Sequence, residues 1–322
     1  MISPSTAFFY ACDENYHDMT QYSLCSLMRA AGTGLHIHFF QYGYSRPCEQ
    51  LEAIAREAGH VLTVETLSLN AASEKFEESV GDGLHAHITG TAFVKPFVIN
   101  QLAAKYDYII YLDSDVLFFD QPDLSCLTGF DELAAGVLDF ANFARPEFYL
   151  NCLNAELSPA YINSGVLAVN AARWKAVDFL ARYRRNIRRH IEGCAYMEAC
   201  ATRDQCPINM TINGDLRILP LDYNVQQWAI GTRFWDAARV RHYIGSRKFL
   251  SPRIHSHDER ERELLRGLEA DLQIGAIDLP VKDFGLAHAM NNFRRHNTIA
   301  ERTAMLEKYP VTEAVGAAQV AG

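Results

Sequence analysis

The sequence predicts an α/β protein with a mostly parallel, doubly wound sheet flanked by helices. Three observations lead there. Strand-like apolar runs alternate with helix-patterned segments four times before residue 113. The first and fourth of those runs end in acidic clusters, as strands do at a ligand-binding edge. The composition, 49% hydrophobic and 21% charged over 322 residues, is that of a chain able to bury a large core.

Phe8-Phe9-Tyr10-Ala11 is the first strand, ending at Asp13, Glu14 and Asn15. A helix follows, with Asp18 as its expected N-cap, Gly32 as its stop and Leu24, Cys25, Leu27, Met28 and Ala31 on its buried side. Leu35–Tyr42 is the second strand. Pro47 and Gly59 bracket a helix over Cys48–Ala58, and Val61–Leu67 is the third strand. Residues 70–90 lack periodicity and contain Gly81, Gly83, His85 and His87, which predicts a long loop near a ligand. A helix over Thr91–Lys105 must hold Pro96 near its first turn or bend there. Tyr108–Leu112 is the most strand-like run of all. Beyond it the strand candidates are Ala135–Leu138, Gly165–Val169, Arg217–Leu219 and Val240–Tyr243, and helix is expected from Leu264 onward. We expect one domain over 1–258, a helical extension over 259–310 and a disordered tail over 311–322.

A net charge of −9 argues against nucleic acid as a partner, because phosphate backbones need a basic face. The one basic run, Arg182, Arg184, Arg185, Arg188, Arg189 and His190, reads first as a solvated helix face. Its second reading is a docking surface for a membrane or an anionic acceptor. The N-terminal stretch lacks a basic segment followed by an apolar one, and no run approaches the roughly 18 apolar residues of a membrane span. The expected location is cytoplasmic, with any membrane contact peripheral to its inner face. The eight cysteines are then reduced, and Cys194, Cys200 and Cys206 are spaced too widely for zinc knuckles.

Chemistry concentrates at Asp113-Ser114-Asp115, between the apolar runs Tyr108–Leu112 and Val116–Phe119. In extended backbone residues i and i+2 share a face, so both carboxylates converge, and two such groups repel unless a proton or cation intervenes. A divalent metal is the natural relief; the bland alternative is a polar capping turn. His242 is the candidate third ligand, and imidazole favours manganese over calcium. Gly245 and Lys248 follow it, where a backbone turn and an ammonium can neutralise a diphosphate.

The order of motifs resembles the family 8 glycosyltransferases, the retaining enzymes that include glycogenin and the bacterial lipopolysaccharide galactosyl- and glucosyltransferases. The resemblance runs from about Phe8 to Lys248. It implies a GT-A type, Rossmann-like mixed sheet, a UDP-sugar donor and Mn2+ or Mg2+. Phe9–Tyr16 is similar to the nucleotide-binding edge, which implies contacts of Ala11, Asp13 and Asn15 with uracil and ribose. Asp113-Ser114-Asp115 matches the metal motif, with Ser114 inside the donor site. Ile162-Asn163-Ser164-Gly165-Val166, then Asn170 and Trp174, resembles the donor-sugar strand and its helix, placing Asn163 and Gly165 at the sugar. Asp204-Gln205-Cys206 with Asn209 resembles a segment whose glutamine lies near the anomeric carbon. His242–Phe249 resembles the element that supplies the metal histidine and the diphosphate lysine, Lys248.

Three departures stand out. Cys206 replaces a usual aspartate, Phe93 a frequent arginine, leaving Lys95 as the nearby cation, and Phe249-Leu250 a Pro-Trp pair. The implied reaction moves a hexosyl group to a hydroxyl of a saccharide or glycolipid with retention, with Gln205 and Asp204 orienting or stabilising the sugar. Residues 142–159, with Phe143, Phe148 and Tyr149, and the region after Phe249 are candidates for the acceptor cleft. Two rivals remain open at this stage: a haloacid dehalogenase-like phosphatase with Asp113 as nucleophile, and a non-catalytic sugar-nucleotide-binding protein.

Overall fold

The structure, a computed structural model, describes residues 5–67, 91–144, 160–193, 204–244, 248–250, 258–274 and 298–310, without the side chains of 91–93 and 141. The expected loop over 70–90 and the tail over 311–322 lie outside the described residues. Strands β1 (Thr6–Cys12), β2 (His36–Tyr42), β3 (Val61–Leu67), β4 (Tyr108–Leu112), β6 (Ala134–Leu138), β7 (Ile162–Asn170) and β8 (Leu216–Ile218) form one sheet in the order β3-β2-β1-β4-β7-β6-β8. Neighbours are parallel except at β7, which runs against both β4 and β6 and makes the sheet mixed.

The apolar runs explain the order. Phe8–Tyr10, Ile37, Phe39, Phe40 and Ile109–Leu112 are buried on both faces of the central strands, as parallel strands covered by helices must be. β3, at the edge, carries Thr63, Glu65 and Thr66 and leaves Val61 52% exposed. A smaller sheet, β5 (Val116–Phe118), β10 (Val240–His242) and β9 (Val225–Gln226), lies beyond the end of β4.

Helix α1 (His17–Ala31) ends at Gly32, whose φ of 81° suits glycine. Its N-cap is Tyr16 rather than the expected Asp18. Asp13 accepts a hydrogen bond from the Asn15 N–H and caps a short 3-10 turn, Glu14–Tyr16, which feeds directly into the helix. Asp18 lies instead in the first turn, where its charge complements the exposed N–H groups and Arg46 pairs with it at 3.3 Å. Helix α2 (Glu49–Glu57) falls where expected, and in α3 (Thr91–Leu102) the helix continues past Pro96.

Asn170 ends β7 and caps α4 (Ala171–Ala176), accepting from the N–H groups of Ala172 and Arg173. The basic run forms α5 (Phe179–Gly193). Tyr183, Ile187 and His190 face inward from it, whereas Arg182, Arg185, Arg188 and Arg189 are exposed. Helix α6 (Gln205–Ile212) is buried along its whole length.

Helix α7 (Glu259–Leu272) begins five residues before the expected Leu264, because Asp258 caps it through the Glu261 N–H. It packs on α1, with Leu265, Leu268 and Leu272 buried, and Arg29 pairs with Asp271 at 3.2 Å. Helix α8 (Ile299–Leu306) is followed by Tyr309. The Tyr309 hydroxyl accepts from the Leu138 N–H at 3.0 Å and donates to the Leu219 carbonyl at 2.7 Å, where the register of β6 shifts. Gln226 holds the same strand end through the Phe140 N–H and the Leu138 carbonyl. Among the described residues no helix is long and apolar enough to cross a membrane.

Candidate active site

Strands β1 and β4 are parallel neighbours, so Asp13 and Asp113 stand at the same edge of the sheet. Asp113-Ser114-Asp115 is not extended, as expected from the sequence, but a turn in which the Val116 N–H donates to the Asp113 carbonyl at 3.3 Å. The turn carries the chain from β4 into β5. Convergence of the carboxylates comes from pairing: β5 runs against β10 with Val116 opposite His242, and the Tyr243 N–H donates to the Asp115 carbonyl at 3.0 Å. His242 Nε2 thereby stands 3.1 Å from Asp115 Oδ1 and 3.6 Å from Asp113 Oδ2. One ligand atom from each of the three residues lies within 4.8 Å of the others.

This donor set fits a divalent cation. Two carboxylates and an imidazole meet without a bulky neighbour because residue 165 is glycine. A Cβ there would stand 2.1 Å from His242 Cε1 and 2.7 Å from Asp113 Oδ2. The Gly165 carbonyl also accepts from the Asp113 N–H at 2.8 Å. Gly165 therefore makes room for the ligands. Lys248 Nζ contacts Asp115 Oδ2, so positive charge is already directed at this carboxylate. Burial opposes charge on Asp115, but Lys248 and His242 outweigh it and hold its carboxyl well below the usual range.

Lys95, from α3, is 3% exposed. Its ammonium lies 3.3 Å from Asp113, 2.9 Å from Asp204 and 4.5 Å over the Tyr111 ring. Burial alone would lower its pKa, yet Asp113 and Asp204 raise it above that of a free lysine, so it stays charged. The Tyr111 hydroxyl donates to Asp113 Oδ1; burial first, then the Asp113 charge, keeps it a phenol. Lys95 is thus the cation that joins Asp113 to Asp204. The Phe93 side chain lies outside the described residues.

On the other flank Gln205 is clamped. Its Oε1 accepts from the Ser164 N–H at 2.9 Å and its Nε2 donates to Asp139 Oδ2 at 3.1 Å. Asn163 Nδ2 donates to the same oxygen at 3.1 Å. Asn209 braces this flank by bonding both the N–H and carbonyl of Ile162. Cys206 is fully buried against the Tyr161 hydroxyl at 3.0 Å, and Phe249 packs on Tyr22 and Tyr243, so both departures serve the core.

The structure thus brings together Asp113, Asp115, His242, Lys248, Lys95, Asp204, Gln205, Asn163 and Gly165. Ala11, Asp13 and Asn15 stand at the end of the neighbouring strand, with Ala11 buried and Asn15 exposed. The Ser114 hydroxyl accepts from the Thr20 hydroxyl at 2.8 Å. Gly245, Phe148 and Tyr149 lie outside the described residues, and Phe143, offered as an acceptor contact, packs on the core 6.0 Å from the Tyr309 ring. Sequence reasoning missed Asp139, Tyr111 and Asn224. Asp139 follows the apolar run Ala134–Leu138 just as Asp113 follows β4, and Tyr111 precedes Asp113 by two; Asn224 has no local signal.

The profile of glycosyl transferase family 8 matches residues 7–249. The chain belongs to glycosyl transferase family 8. It is a glycosyltransferase, and the phosphatase and non-catalytic readings are set aside. Its fold is similar to the crystal structure of the galactosyltransferase LgtC in complex with donor and acceptor sugar analogs, at 21% identity and a TM-score of 0.63 over 81% of this chain and 95% of that one. It is also similar to the bifunctional glycosyltransferase WbbM, at 16% identity and a TM-score of 0.61 over 85% of this chain and 52% of that one. A third is GlyE of Streptococcus pneumoniae TIGR4, at 19% identity and a TM-score of 0.52 over 83% and 63%. At these identities the likeness establishes the GT-A fold alone. No curated protein matches this chain.

Proposed function

We propose that this family 8 enzyme transfers a hexosyl group from a UDP-sugar to a hydroxyl of a saccharide or glycolipid, with retention of configuration and with Mn2+ or Mg2+ held by Asp113, Asp115 and His242. The observation that carries it is the meeting of those three ligands within 4.8 Å, flanked by Lys248 and Lys95. The LgtC complex with donor and acceptor sugar analogs supports a sugar donor and a saccharide acceptor.

A bound divalent ion would supply charge stabilisation to the departing diphosphate. Lys248, adjacent to Asp115, adds a second positive charge on that side. Ala11, Asp13 and Asn15 bind the nucleoside at the end of β1, and Asn163 the sugar. Gln205 presents a fixed amide beside the reacting carbon. Retention is supported by how the nearby carboxylates are engaged. Asp204 is paired with Lys95 and Asp139 accepts from two amides, which leaves neither placed as the general base that inversion requires.

The test is isotopic measurement of UDP release and transfer across a panel of UDP-hexoses and saccharide acceptors, followed by proton NMR of the first-formed product. Turnover with one donor and an anomeric coupling constant that matches the donor's is expected. An inverted product would make Asp204 the base and remove the role given to Gln205. Calorimetry should show UDP binding at least tenfold weaker in EDTA, because the diphosphate would then face Asp113 and Asp115 directly. Equal affinity in both conditions would remove the metal site.

A further inference from the structure

Behind His242 runs a file of buried side-chain amides whose polarity is set by backbone groups that cannot be reversed. The Gly165 N–H donates to Asn163 Oδ1 at 3.1 Å, so the amide nitrogen of Asn163 must face the other way, toward Asp139 Oδ2 at 3.1 Å. Asn163 Oδ1 is also met by Asn224 at 2.9 Å, and only the amide nitrogen of Asn224 can donate to it. That turns Asn224 Oδ1 toward His242 Nδ1, 2.9 Å away. At the far end the Ser164 N–H fixes Gln205 in the same way and directs its amide nitrogen onto the same Asp139 oxygen. Asn224 is fully buried and Asn163 is 5% exposed, so solvent does not compete for these bonds.

We infer that Asn224 is a positioning residue that sets the tautomer of His242: an amide oxygen can only accept, so Nδ1 carries the hydrogen and Nε2 offers its lone pair to the cation held with Asp113 and Asp115. Asn163 transmits the polarity, and one Asp139 oxygen joins this file to Gln205. The metal flank and the sugar flank of the site therefore share one hydrogen-bond network, in which the histidine's ligand atom is chosen before any ion arrives. The arrangement follows the general rule that the second nitrogen of a metal-bound imidazole is oriented by a fixed partner.

The inference rests on the metal reading above, and the test separates the two. Protein labelled with 15N-histidine is loaded with diamagnetic Cd2+, and the His242 ring is identified by the signals lost in His242→Gln. A directly bonded hydrogen on Nδ1 and coordination through Nε2 are expected. In parallel, Mn2+ binding is measured by electron paramagnetic resonance for wild type, Asn224→Ala and Asn224→Asp. Asn224→Ala should bind Mn2+ about tenfold more weakly or worse, and Asn224→Asp, which can still accept from Nδ1, should fall nearer wild type. Coordination through Nδ1 in the wild type, or unchanged Mn2+ affinity in a folded Asn224→Ala, overturns the inference while leaving the metal site standing. A wild type that takes up neither ion overturns both. The wild-type spectrum decides the tautomer even if Asn224→Ala does not fold.

Discussion

The two flanks of the site are built from opposite materials. On one side Asp113 and Asp115 meet Lys248 and Lys95, full charges in close contact, with the His242 imidazole beside both carboxylates. On the other, Gln205, Asn163 and Asn224 are tied to one another, to Asp139 and to backbone N–H groups by bonds of 2.9–3.1 Å. The charged flank holds like-charged carboxylates together largely through neighbouring cations, so it responds to whatever ion or polyanion enters. The amide flank is held in place by its own hydrogen bonds, so its contribution is geometry. Removing a residue from the first should abolish a charge-dependent function; removing one from the second should misplace groups that remain present.

The largest effect expected is on the charged flank. His242→Ala or Asp115→Asn should lower turnover by about a hundredfold or more while circular dichroism stays native, since both groups serve the leaving group. Near-normal turnover in either folded variant would remove that residue from the metal shell. Gly165→Ala sharpens the contrast, because it adds no charge and removes none. Its Cβ would collide with His242 and Asp113, and we expect a loss of about 1–3 kcal/mol in stability together with weaker Mn2+ binding, read by thermal unfolding with and without Mn2+. A variant as stable and as metal-responsive as wild type would show that the ligands can move aside.

On the amide flank Gln205→Ala should lower turnover roughly tenfold or more while calorimetric UDP affinity stays nearly unchanged, because the nucleotide is held elsewhere. A parallel loss of UDP affinity would mean that the two flanks are not separable. The smallest expected effect on catalysis lies behind both. Arg241 is fully buried between Asp258 at 2.8 Å and Glu261 at 3.2 Å, and burial pushes the Glu261 carboxyl up to about 7. A carboxyl pKa raised by folding gives stability that is complete below about pH 4.5 and lost as pH rises through about 7. Glu261→Gln, neutral throughout, should therefore gain on wild type between pH 5 and 8, by about 2 kcal/mol in urea unfolding. A difference that is flat with pH would mean that Glu261 is ionised throughout this range.

Legibility followed the range of the interactions. Val61–Leu67 and Tyr108–Leu112 form strands over the same residues that the sequence marks, because segments rich in β-branched or aromatic residues signal themselves locally. β9, only Val225–Gln226, carries no such signal and exists because β10 is beside it. Asp18 was misplaced by a short-range rule that a neighbouring Asp13 turn overrode. Among site residues, Asp113, Asp115, Lys248 and Gln205 announced themselves through charge or motif order, whereas Asn224 is chemically unremarkable until it stands against His242.

The sequence by itself determined the alternation of strands and helices, the strand end where carboxylates gather and the residue types able to hold a cation and a diphosphate, since these follow from hydrophobic period and charge along the chain. Only the tertiary structure decided that Asp113-Ser114-Asp115 is a turn, that pairing of β5 with β10 brings His242 to both carboxylates, and that Lys95 bridges Asp113 to Asp204. The same holds for the need for glycine at 165 and for the amide file behind the histidine. Apart from the turn itself, these are contacts between residues distant in the chain, some separated by more than a hundred positions, and no local propensity encodes such a contact; it comes from strand order and register.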